Sequence, residues 1–218
     1  NLGIGGGQRF QRGTRYTEAS VFAWYPFSRH YRVEGSLGYA QRRLDYPTLS
    51  NPSDPFSPIT FVGYSDDFPL AAVALVGDTT RYKSWGPYQG YRFRAEVGQL
   101  RYTAGDNKGD HVTSYTIDYR GYQRVTSRSL FALRVTGILQ NGATAAVYPL
   151  GGINELRGFD FREFFGTNVV WANLEFRFPL VDQLLWPFGL RTGRFRGFVF
   201  ADVGSAGFSA AAHVTCAT

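Results

Sequence analysis

A two-residue period, repeated in segment after segment with charges of both signs on its polar side, restricts this chain more than any other feature. Tyr31, Val33, Leu37 and Tyr39 fall on one face, with Arg32, Glu34 and Ser36 on the other. Tyr91, Phe93, Ala95 and Val97 oppose Arg92, Arg94 and Glu96, and Tyr115, Ile117 and Tyr119 oppose Thr116, Asp118 and Arg120. Phe131, Leu133 and Val135 oppose Ala132 and Arg134, and Val170, Ala172, Leu174 and Phe176 oppose Asn173, Glu175 and Arg177. Successive side chains of a strand point to opposite faces, so this period means strands that are apolar on one side only. A soluble sandwich would show the same period with its polar face in water. Two features favour lipid instead: the paired charge signs, and aromatics near strand ends at Trp24, Tyr25, Tyr39 and Tyr102. Charges paired in a lumen and aromatic girdles at the interfaces would produce both.

Nine strands are predicted, at roughly 1–10, 16–25, 30–42, 68–79, 89–102, 112–124, 129–140, 169–178 and 196–204. The connections 25–29 and 125–128 are tight and belong to one end. Those at 44–67, rich in Pro and Ser, and 141–168 are long. Short turns on one side and long loops on the other describe an outer-membrane barrel, although 80–88 and 179–195 fit the rule imperfectly. The fold class read here is all-β, an antiparallel transmembrane β-barrel. Residues 1–218 form one incomplete barrel domain, with no second domain. No apolar run approaches the ~18 residues of a spanning helix, and Gly 26, Tyr 14, Phe 19 and no Met favour strands over helical bundles.

The net charge is +6, and of 23 basic residues only Lys83 and Lys108 are lysines, leaving 21 arginines. They are scattered through strand alternation with no accompanying motif, which argues against nucleic acid. Arginine suits multidentate pairing with carboxylates in poorly solvated places. Cys216 is the lone cysteine, and His30, His111 and His213 lack ligand spacing, so neither a disulfide framework nor a metal site is expected. Asn1 opens the chain without a signal-peptide pattern, and no closing strand is obvious at the other end, which reads as an internal fragment.

Several motifs have bland readings. Gly3-Ile4-Gly5-Gly6-Gly7 lacks the strand-turn-helix context and the Lys of a phosphate loop, and reads as a flexible strand or kink. Asp66-Asp67 and the run Asp106 to Asp110 follow no calcium-loop pattern and read as solvated loop charge. Asp78 either pairs with Arg81, lines the lumen or caps a turn. No nucleophile, base and orienter share a motif, so no catalytic residues, enzyme activity or cofactor are expected.

One group stands apart. Leu156-Arg157-Gly158-Phe159 follows Gly151-Gly152 in the long 141–168 connection, and Glu175 and Asp202 stand at polar positions of two later apolar strands. The second of these reads Phe200-Ala201-Asp202-Val203-Gly204. A lone carboxylate in such a strand is costly unless its face is wet or it meets a cation. One Arg and two strand carboxylates suggest a loop tip folded back and clamped inside a barrel.

At these residues the chain resembles the outer-membrane protein assembly factor superfamily, the BamA-type barrels also called bacterial surface antigens. In that family an Arg-Gly-Phe/Tyr tip on the sixth extracellular loop enters the barrel. There it contacts an acidic residue of strand twelve and the Asp of a Phe-x-Asp-x-Gly strand thirteen. The resemblance implies a clamp made by Arg157, Gly158, Phe159, Glu175, Asp202 and Gly204, with Leu156 in place of the more usual Val. The stretch from Ala23 to Glu34 is similar to members that carry a TolB-type propeller before the barrel. The resemblance further implies a sixteen-stranded barrel of which strands five to thirteen are present, located in the bacterial outer membrane and surrounded by its lipid. Its function would be to assist insertion or transport of client outer-membrane proteins. The alternative is a membrane anchor or passive pore for an attached periplasmic domain or larger complex.

Overall fold

A computed structural model describes residues 13–51, 53–54, 56–181, 183–193 and 195–209. Eight long strands dominate it: β1 (Gly13–Pro26), β2 (Tyr31–Leu49), β3 (Ile59–Asp78), β4 (Gly86–Arg101), β5 (His111–Arg124), β6 (Leu130–Asn141), β7 (Asn168–Val181) and β8 (Phe195–Gly207). Each pairs antiparallel with the next in chain order, a meander with no crossover that is open at β1 and β8 among the described residues. Apart from a three-residue 3-10 turn at Pro187–Gly189, the described elements are strands. The fold is all-β.

Hairpin chemistry sets the ends. Ser28 Oγ accepts from the backbone N–H groups of His30 and Tyr31 at 3.2 and 3.0 Å, closing the turn from β1 to β2. Thr126 Oγ1 does the same for Arg128 and Ser129 between β5 and β6, at 3.2 and 3.0 Å. Such hydroxyl turns need few residues. Alternation of direction places both at one end, with the connections 79–85 and 182–194. The connections 50–58, 102–110 and 142–167 lie at the other. Asp78 caps its turn, accepting from the Thr80 N–H at 2.9 Å.

Register aligns the period-two pattern across the whole sheet. One lateral row reads Val33, Leu75, Ala95, Ile117, Gly137 and Val170. On this apolar face also lie Leu37, Phe93, Val97, Leu133, Val135, Leu174 and Phe176. Toward the short-turn end it carries a belt of rings: Tyr31 meets Phe93, Tyr91 stacks near Tyr119, and Phe131 packs against Phe176. Gly77 makes room for this belt, since a Cβ there would come 2.5 Å from the Phe93 ring.

The opposite face is charged, and its ions pair along and across strands. Arg32 and Arg94 both reach Glu34, Arg94 also bonds Glu96, and Asp118 lies between Arg120 at 2.8 Å and Arg134 at 3.7 Å. Buried apolar side chains gather in two small clusters where connections fold onto this charged face. One is Ala40, Phe68, Tyr102 and Val112, and the other is Leu150, Leu156, Val169 and Trp171. The apolar face has no second layer among the described residues, and Leu37, Val73 and Val97 remain 69%, 61% and 49% exposed. A sandwich would bury that face against another sheet.

Two expectations need correction, and one lies outside the described residues. Of the nine strands, eight fall on the described residues; the one at 1–10, with the Gly3–Gly7 run, lies outside them, as do His213 and Cys216. The segment 44–67 is mostly strand, because β2 runs to Leu49 and β3 begins at Ile59. Pro69, just past this segment, is tolerated because one ladder is absent there: the β4 pairing starts at Leu70. Among the expected girdle aromatics, Tyr25 and Tyr39 lie on the apolar face, but Trp24 shares the charged face with its partner Glu34. Tyr102 is buried edge-on against Phe68.

Candidate functional site

The long connection between β6 and β7 doubles back on the charged face. Tyr148–Leu150 pairs with Phe164–Gly166 at its base. Gly151 and Gly152 then turn the chain at φ 133° and 100°, and a Cβ on Gly151 would sit 2.5 Å from the Asp160 carbonyl oxygen. The Glu155 carboxylate accepts from the Gly151 N–H at 2.8 Å, and Gly152 bridges Leu156, making a compact tip. Leu156 anchors it in the cluster with Leu150, Val169 and Trp171. Its side chain lies over Gly204, where a Cβ would come within 2.9 Å.

The next residue makes the ionic contacts. Arg157 Nε and Nη2 donate to the two oxygens of Asp202 at 2.7 and 2.6 Å, and Nη1 donates to Glu175 at 2.6 Å. Its backbone N–H adds a bond to Asp202 at 3.0 Å. A planar guanidinium can serve two carboxylates this way, whereas an ammonium is a point charge. The guanidinium also lies over the Phe200 ring, 3.8 Å from its centroid. Side-chain exposures of 14% for Arg157, 4% for Asp202 and 18% for Glu175 show that little solvent screens the group. The hydrogen bonds to Asp202, outweighing burial, raise the Arg157 pKa further above its ordinary high value, so it stays cationic.

Neighbouring strands complete the balance. Asn173 stands opposite Asp202 in the register and donates to it at 2.9 Å, while its other contact is the Glu155 carbonyl at 2.7 Å. Arg177 donates to the remaining Glu175 oxygen at 2.8 Å. Two guanidiniums thus face two carboxylates. Gly158, at φ 95°, turns the chain after Arg157. Phe159 does not join the ionic group; it packs edge-on against Phe164 within the loop, with ring centroids 5.3 Å apart. Sequence reasoning missed Asn173 and Phe200 as members, although both occupy the same strand face as the carboxylates.

A second ionic latch, also missed, sits at the same end. Asp66 is 2% exposed, pairs with Arg42 at 2.7 Å, and accepts from the backbone and side-chain nitrogens of Asn107 at 3.0 and 2.8 Å. It pins the connection 102–110 onto the face of β2 and β3. The reading of Asp66 as solvated loop charge is therefore wrong. Arg42 and Asp66 are direct cross-strand partners, a relation visible only once the register is known.

No family model matches the chain, and no curated protein matches it. Among solved structures, the crystal structure of BamA from Haemophilus ducreyi lacking POTRA domains 1-3 matches with a TM-score of 0.60 over 89% of this chain, at 16% identity. The wall is BamA-like in fold. The chain spans 42% of that structure, consistent with a sheet that does not close on itself here. At this identity the likeness speaks for architecture alone: an antiparallel barrel wall.

Proposed function

We propose that this chain is part of an outer-membrane β-barrel that assists the insertion or transport of other proteins, working without covalent chemistry. The observation that carries the reading is the Arg157 tip, bound to Asp202 and Glu175 on the charged side of a BamA-like wall. The bare apolar face with its ring belt suits contact with outer-membrane lipid, and the paired ions suit a wet lumen. A tip held there narrows the pore and stiffens the strands that bear it, so that conformational change is directed elsewhere in the barrel. Unpaired strand edges in such barrels offer a client strand backbone partners.

The second reading, an anchor or passive pore for a periplasmic domain, draws on the Ala23 to Glu34 stretch that resembles propeller-bearing members. One experiment separates the two. The complete protein is reconstituted in liposomes and a urea-denatured outer-membrane barrel is added as client. Faster client folding than in empty liposomes, reduced by Arg157→Ala, supports assembly. Unchanged client folding together with ion conductance supports the pore or anchor. Recovery of the protein in the inner-membrane or soluble fraction of cells would overturn both.

A further inference from the structure

We infer that the charged face binds a phosphate-type oxyanion in a cavity beneath the loop tip, beside the Arg157 latch. The register brings three arginines into direct opposition there. Arg92 on β4 stands opposite Arg120 on β5, which stands opposite Arg134 on β6. Like charges so placed destabilise a sheet unless a counter-charge intervenes. The acids nearby are already engaged. Asp118 accepts from Arg120 Nε and Nη2 at 3.1 and 2.8 Å, and the two Glu175 oxygens are taken by Arg157 and Arg177. Arg134 is left over. It reaches the same Asp118 only at 3.7 Å, and the Asn154 carbonyl on the tip at 3.4 Å. Its Nε is closed off from solvent and has no hydrogen-bond partner among the described residues.

A cavity of about 230 Å³ adjoins this arginine. Its lining includes Arg120, Ala132, Arg134, Asn154 and Arg177, and Glu175 is the only carboxylate among the described residues that line it. Ala132 provides the space: its register partners are Tyr122 and Glu175, so a methyl group stands among much larger side chains. The surroundings lack acceptors, not donors. Thr136 Oγ1 and Trp171 Nε1, on buried residues that face each other across β6 and β7, have no partner among the described residues either. Guanidinium and indole nitrogens only donate, so they cannot satisfy one another. Guanidiniums reach the cavity from three strands, β5, β6 and β7. A tetrahedral group presents oxygens in several directions, whereas a carboxylate presents two in one plane, and arginine binds phosphate through paired N–H groups. The cavity lies on the charged face, away from the side suited to lipid tails, which selects a phosphate in solution over a headgroup. Asn154 belongs to the tip, so the site is complete only with the tip docked, and the bound anion stabilises that docking. This inference does not depend on whether the barrel assembles clients.

The test uses the complete protein folded in uncharged detergent, with inorganic phosphate as probe. Calorimetric titration gives its Kd, and hydrogen exchange of the amides from 152 to 166 reads the docking of the tip. Phosphate at about ten times its Kd should slow exchange there about tenfold. Sodium chloride at equal ionic strength should not slow it, because screening weakens the ion pairs of the latch. Arg134→Gln should weaken phosphate binding by about tenfold or more. Arg15→Gln with Arg43→Gln, a pair on the opposite face of the sheet, should leave binding within about twofold. Absence of binding, binding that leaves exchange at 152–166 unchanged, slowing by chloride equal to that by phosphate, or equal losses in the two sets of variants overturns the proposal. Acetate that protects as well as phosphate refutes the tetrahedral group. Protection by phosphatidylglycerol in the micelle where inorganic phosphate gives none refutes the source in solution. These anion comparisons use unaltered protein, so they decide the matter even where Arg134→Gln fails to fold.

Discussion

Replacing Arg157 with alanine removes three charge-assisted hydrogen bonds at once, two to Asp202 and one to Glu175. The two carboxylates do not suffer equally. Glu175 keeps Arg177 at 2.8 Å, whereas Asp202, 4% exposed, keeps only the Asn173 amide and the backbone N–H of residue 157. Stranding a buried charge costs ~3–5 kcal/mol, and the two neutral bonds that remain reduce this to about 2–4 kcal/mol for docking of the tip. Asp202→Asn deletes the charge but leaves Arg157 with Glu175, so it should cost less, about 1–2 kcal/mol. The double variant should be less harmful than Arg157→Ala alone, because the stranded carboxylate is gone. Hydrogen exchange of the amides from 152 to 166, in the complete protein held in detergent, reads this local opening. Arg157→Ala should accelerate exchange there by about 30- to 1000-fold, the equivalent of that cost. A double variant that exchanges faster than Arg157→Ala would refute the reasoning, since the ionic balance would not be what holds the tip.

Three further outcomes follow from other parts of the wall. Leu133→Arg, on the apolar face, should lower folding stability in lipid by about 2–4 kcal/mol if that position lies near mid-bilayer, and Arg134→Leu should lower it by less; urea titration of heat-modifiable migration measures both. Gly204→Ala places a methyl against Leu156 and should loosen the tip by about 1–3 kcal/mol, again read by exchange at 152–166. Asp66→Ala removes the acceptor of Arg42 and of both Asn107 nitrogens, so a lysine-specific protease should cut at Lys108 much faster while the rest of the chain stays resistant.

How far the sequence could be read depends on which face a residue occupies. Wherever a strand is apolar on one side, as from Tyr91 to Val97 or Phe131 to Val135, alternation alone located it. Beyond the apolar band that signal disappears. Residues 44–49 and 59–67 pair as strands without a sustained one-sided apolar alternation, because backbone bonding there needs no buried face. Arg157, Glu175 and Asp202 could be singled out as chemical anomalies, one cation on a glycine turn and two acids in apolar strands. The roles of Asn173 and Phe200 were out of reach, because they depend on which residues stand opposite across two strands. The Asp66 latch failed for the same reason. Two aspartates beside a proline-rich segment look like solvent charge until β2 is laid against β3.

The carboxylates that hold Arg157 both lie downstream of it in the chain, on β7 and on β8. The latch therefore cannot close during folding until β7 has formed and β8 has come alongside it. Forming it requires closure over 45 residues from Arg157 to Asp202, a contact far less local than any hairpin turn, and non-local contacts of this kind form late. Docking of the tip is thus a timing mark. A protein in which the loop is ordered has already completed this stretch of wall, and the ordered loop reports that completion on the charged face.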